Sequence, residues 1–315
     1  MLNQRVIEAE SLRGFFQDQW DHLQQLIDRR QQKRMRERQE TGLLNHAVEI
    51  LVTGTDGRLR AISHYQEQLR QSTRALLRYI EDMVAELPPP LLLTRQTLVM
   101  DPTVHSLFQD ERLIEKLFHE QRILENFLEH QIEICNEVHA LIHLFKTEKQ
   151  VLGTAMWGEM LVSGVPQIVV CFVGHEIIDI KTNETDLRSA LKTILFDSVV
   201  IHLRLETTRI RHERTDEKSR QDALDPEQNI DNPKVYLSVL QQLMASPKQL
   251  LSLNREQLTI DKMGIKISSV RENSMTSTDT IDLQELSVGN RRSRILCMVR
   301  YPLDRRSAPQ QTGAE

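Results

Sequence analysis

Three groups of residues in this sequence have the types and spacing to do chemistry. The first is Cys135, His139 and His143, which recur every four residues. On a helix that spacing lines one edge, and thiolate and imidazole are ordinary zinc ligands. A complete site needs a fourth ligand, and no pattern in the sequence supplies one. The plainer reading is a half-buried thiol flanked by boundary histidines. The second group is His175, Glu176 and Glu159, with Trp157 nearby. A histidine and carboxylates converging in a cleft could move a proton. His175-Glu176-Ile177-Ile178-Asp179 also approaches the HExxH zinc motif. That motif needs a helix to bring its ligands onto one face, and this run is β-branched, ends in Asp and alternates its side chains. It is rejected as a zinc motif.

The third group is basic. Arg29, Arg30, Lys33 and Arg34 lie in the run Asp28 to Glu40, and Arg291, Arg292 and Arg294 lie near the end of the chain. Guanidinium forks match phosphate and carboxylate oxygens, so both segments are candidate contacts for nucleic acid or another anionic partner. The competing readings are a solvated helix laced with i,i+4 pairs and charge placed on an edge strand. Aromatic residues that could stack on bases are not interleaved with the first run.

Beyond these groups the chemistry search is empty. The sequence holds no P-loop, no dinucleotide fingerprint, no GxSxG, no CxxC and no EF-hand loop. No cofactor is therefore expected. A net charge of −5 with a pI near 6.2 argues against a dedicated nucleic-acid binder. Three cysteines, far apart and odd in number, suit a reducing, cytoplasmic home. The longest apolar run, Ile168 to Val173, is strand-length, so no membrane span is expected. Aromatics at 4% and charged residues at 27% fit long amphipathic helices with wet outer faces.

The elements that would position these residues read mostly as helix. Leu12, Phe16, Trp20 and Leu23 make a stripe in a first helix. Ile62, Gln66, Leu69, Thr73, Leu76, Ile80, Met83 and Leu87 recur at four and three in a helix from Arg58 that resembles a heptad seam, weakened by Gln66 and Thr73. Pro88-Pro89-Pro90 stops it. Asp101-Pro102 caps a short helix. Phe127, Ile134, Val138, Leu141 and Phe145 extend the helical spacing, predicting a helix from Asp110 to about Leu152. Three glycines and an apolar load from Gly153 to Gly164 suggest a closely packed loop or a cleft. Ile168 to Val173 and Glu176 to Ile180 then read as a hairpin turned by Gly174-His175. A capped helix, a loop at 223–234 and a helix from Pro233 follow. Short strand candidates fill the last 55 or so residues, before a polar tail.

The fold this predicts is α+β and mainly α: a helical bundle or coiled coil, a central β-hairpin and a small C-terminal antiparallel sheet. The divisions are a helical region at 1–152, hairpin plus long helix at 153–222, a linker at 223–234, helix plus sheet at 235–303 and a tail at 304–315. Heptad fragments, few glycines and missing catalytic motifs predict a non-enzymatic interaction or scaffold protein that self-associates through helical seams. The alternatives are anionic-partner binding through 29–38 and 291–306, and an enzyme with a site near 153–176.

Overall fold

The structure, a computed structural model, describes residues 40–120, 122–130, 135–157, 160–218, 232–267 and 278–303. Its centre is one curled sheet. The strands are β1 (Leu91–Leu92), β2 (Glu137–Trp157), β3 (Met160–Lys181), β4 (Leu251–Asp261), β5 (Thr278–Val288) and β6 (Arg294–Pro302). They are ordered β3-β2-β6-β5-β4, all antiparallel, with β1 added parallel to β6. The chain just after β4 folds back on it and also reaches β3. Asp261 N donates to Ile265 O at 3.0 Å, Val170 N to Gly264 O at 2.9 Å and Lys266 N to Ile168 O at 2.8 Å. The two outer strands are thereby joined, and the sheet curls round on itself.

Strand alternation gives the sheet two apolar faces, and each has its own cover. Val138, Ala140, Ile142 and Leu144 of β2 share the inner face with Ile281, Leu283, Ile295 and Val299. That face is filled by short helices α3 (Arg95–Met100), α4 (Pro102–Phe108), α5 (Glu111–Glu115) and α6 (Ile123–Glu129) and the π turn Lys116–Glu120. Leu107, Phe108, Leu117 and Phe118 supply the bulk. Leu141, Leu251, Leu296 and Met298 lie on the outer face. They pack under α1 (40–55), α2 (Tyr65–Ala85), α7 (Glu184–Lys218), α8 (Pro233–Met244) and the single turn α9 (Pro247–Leu250). Asn183 caps α7, its Oδ1 accepting from Asp186 N at 2.9 Å, and Asn232 caps α8 ahead of Pro233.

The expectation of a mainly helical bundle or coiled coil with a small sheet is overturned. The sheet is large and dominates the core. The helix expected at 110–152 breaks after Glu129, and Glu137–Trp157 is a strand. The run Val138–Phe145 is apolar at most positions because both of its faces are covered. A strand buried on both sides carries no period of two, and its residues match helical spacing by chance. The heptad-like stripe of α2 is real but inward: Leu69, Leu76 and Ile80 are buried within their own chain, so the seam offered for self-association is already occupied.

Gly174-His175 does not turn the chain. His143 pairs with Glu176 and Phe145 with Val173, so β3 carries one extra residue there, a bulge. Gly174 has φ +68, the left-handed geometry that a bulge and a primed turn both demand. The 168–180 segment is thus half of one long strand, and it shares a sheet with β6 only through β2.

Candidate functional site

β2 and β3 outrun the sheet. β2 pairs with β6 only from Glu137 to Leu144, while its ladder with β3 continues to Trp157↔Met160. Past the contacts with 264–266, residues 151–157 and 160–167 form a two-stranded ribbon, about 20 Å long at roughly 3.3 Å per residue, that pairs with no other strand among the described residues. Its surface is apolar: Leu152 is 77% exposed, Met160 69% and Leu161 68%. From the register, Leu152 and Leu161 share one face, and Val151, Met160 and Val162 the other. The only charged residue from 151 to 167 is Glu159. Gly164, φ +77, makes a second bulge within the ribbon. The glycine-rich apolar stretch expected to be a loop is therefore this ribbon.

Where β2 leaves β6, well before the ribbon begins, residues from all three sequence groups come together: His143 from the first, Glu176 from the second, and Arg292 and Arg294 from the third. His143 is 8% exposed, and its Nε2 lies 2.9 Å from Glu176 Oε2. Arg294 Nη1 is 3.4 Å from the imidazole nitrogens. Burial and the Arg294 charge pull the His143 pKa below the usual histidine value, against the pull of Glu176. The guanidinium carbons of Arg292 and Arg294 stand 4.7 and 5.3 Å from the centre of the Phe145 ring. Among the described residues no carboxylate lies within ion-pairing distance of Arg291, Arg292 or Arg294. What gathers is a buried histidine, one exposed carboxylate and arginines whose charge is unneutralised.

The other candidates disperse. His175 leaves Glu176 behind: it turns inward, donates from Nε2 to Leu107 O at 2.7 Å and packs against Phe108, and burial lowers its pKa. His139 and His143 lie on a strand, about 13 Å apart at roughly 3.3 Å per residue, a span one ion does not bridge. The helix edge expected to hold them with Cys135 does not exist, and Cys135 is a half-buried free thiol. Among the described residues no three His, Cys, Asp or Glu side chains gather as metal ligands. Glu159, Arg29, Arg30, Lys33 and Arg34 lie outside the described residues, and Trp157 is described through its backbone alone.

Sequence reading missed a third feature. The β5–β6 ladder holds only the pairs Glu285↔Ile295 and Leu286↔Arg294. Further along, β1 occupies the edge of β6, with Leu91↔Val299 and Leu92↔Arg300. Between them Leu296, Cys297 and Met298 have no strand partner on that side among the described residues. A cavity of about 600 Å³ opens there. Its signal was in the sequence: Pro88-Pro89-Pro90 precede β1, and prolines have no N–H to add to a ladder, so strand addition starts only at Leu91. Arg188 of α7 fixes the proline run. Its guanidinium donates to Val84 O at 2.6 Å, Leu87 O at 3.1 Å and Pro88 O at 3.2 Å. Burial pushes the Cys297 thiol up to about 12, so the cavity offers a neutral thiol and no nucleophile.

No family model, curated protein or solved structure matches this chain. No helix among the described residues is long and apolar enough to cross a membrane.

Proposed function

We propose that this is a non-enzymatic assembly protein that pairs with a second copy of itself through the free end of the β2–β3 ribbon. The observation that carries the reading is the bare apolar surface on both faces of that ribbon. An isolated two-stranded ribbon is marginal in water, and exposed apolar strands invite association. Three physical points favour a second copy over other occupants. Lipid would cover the side chains but leave the strand edges unsatisfied, whereas another strand satisfies both. An edge paired antiparallel with its own copy forms a closed two-fold interface, in which each side supplies what the other lacks. A surface with one charged residue presents neither like-charge repulsion nor a pattern for a charged partner.

Light scattering across a concentration series tests this. Wild type should reach twice the monomer mass, and Leu152→Glu/Leu161→Glu should remain monomeric with an unchanged circular dichroism spectrum. A monomeric wild type, or a double variant that still dimerises, overturns the reading.

A second reading, contact with an anionic partner, is favoured by Arg292 and Arg294 above Phe145 with no carboxylate among the described residues within ion-pairing distance. It predicts binding to a polyanion such as heparin that weakens steeply with salt and is lost in Arg292→Ala/Arg294→Ala. Binding absent at low salt would remove it.

A further inference from the structure

We propose that the cavity between β5 and β6 binds a compact, uncharged, mainly apolar small molecule. The site is independent of the ribbon. Its walls come from three directions: Leu87 and Pro89 from the end of α2 onward, Leu283 from β5, and Leu296, Cys297 and Met298 from β6. At about 600 Å³ it falls in the size range that encloses a small organic ligand, and predominantly apolar walls with a few polar groups are what such ligands meet.

The charge pattern selects against an ion. The Arg255 and Asp282 side chains at the rim neutralise each other, with Nη2 2.6 Å from Oδ2. Glu86 is the remaining charged group of the lining and is exposed at the mouth, where it disfavours an anion.

N-phenyl-1-naphthylamine is an apolar, uncharged probe with one N–H, and its fluorescence rises on leaving water. The full chain should bind it at a single site per chain. Thr103→Trp and Leu253→Trp, both at half-buried positions of the lining, should each weaken binding tenfold or more while the folded spectrum is kept. Leu152→Glu/Leu161→Glu should bind the probe as wild type does, which separates this cavity from the apolar ribbon and from the assembly reading. No probe binding by wild type, or binding untouched by both tryptophan variants, overturns the site.

Discussion

The two ends of β2 and β3 are built from the same kinds of residue and meet opposite surroundings. At the sheet end, Val138, Ala140, Ile142 and Leu144 have no measurable exposure, with helices on both faces of the strand. At the ribbon end, Leu152 and Leu161 stand in water on the same two strands. An apolar strand is thus not in itself a statement about the core of its own chain. Where helices of this chain cover both faces, burial is complete. Where none of the described residues supplies cover, the same composition is a demand for another molecule.

The comparison is broken most forcefully at the covered end. Ile142→Ala removes a fully buried side chain from the inner core that it shares with Phe118 and Ile295. It should cost about 2–5 kcal/mol, the transfer term plus the cavity left behind. Urea unfolding followed by circular dichroism measures it. A loss under about 1 kcal/mol would mean that the inner face is far looser than its burial implies.

A smaller effect is expected where helix and proline run meet. Arg188 bonds three carbonyls at the end of α2 and pairs through Nε with Glu184 Oε1 at 2.7 Å. Arg188→Ala leaves those carbonyls without their charged donor and should destabilise by about 2 kcal/mol. Lys at this position keeps the charge but not the fork, and should recover only part of the loss.

How much of this was legible in the sequence depends on what each segment's neighbours conceal. The C-terminal strands could be read because β5 and β6 are short, alternate over part of their length and sit between turn residues. α8 could be read because Asn232-Pro233 is a capping signal that needs no tertiary knowledge. The Val138–Phe145 strand could not, because cover on both faces erases alternation. Gly174 was read as a hairpin turn residue; its positive φ suits a primed turn and a bulge alike, and the structure makes it a bulge. Of the candidate site residues, His143, Glu176 and Arg294 were each identified but in three different roles. Their meeting depends on a bulge at Gly174 and on β6 lying beside β2, facts of register that no single segment encodes. The seam cavity went unread because its cause, three prolines, is local, while its effect falls on a strand some 200 residues later.

Acid should separate the covered region from the ribbon again. His143, His175 and His202 all have pKa values lowered by burial from 6.5, in the first case with help from Arg294 and in the last from Arg291. A group that binds protons more weakly when folded stabilises the fold above the unfolded pKa. That stability is lost as pH falls below 6.5 toward the folded values, because the unfolded chain takes up the proton first. Unfolding free energy should therefore rise with pH up to about 6.5 and flatten above it. His175→Gln should reduce the slope in that window. A slope unchanged by the substitution would show that His175 is protonated as readily in the fold as out of it.

The smallest effect belongs to the bare end. Leu152→Ser replaces a side chain that is 77% exposed and leaves the buried ladder untouched. At a protein concentration low enough for the monomer, its unfolding free energy should lie within about 0.5 kcal/mol of wild type. At higher concentration the two should part. Wild type should gain apparent stability as a second copy binds the folded state alone, by the logarithm of the ratio of concentration to dissociation constant. The serine variant should gain less. Melting curves of both proteins over a hundredfold range of concentration read this directly. Parallel curves would mean that the ribbon stays bare in solution, and that Leu152 and Leu161 answer to a partner other than this chain.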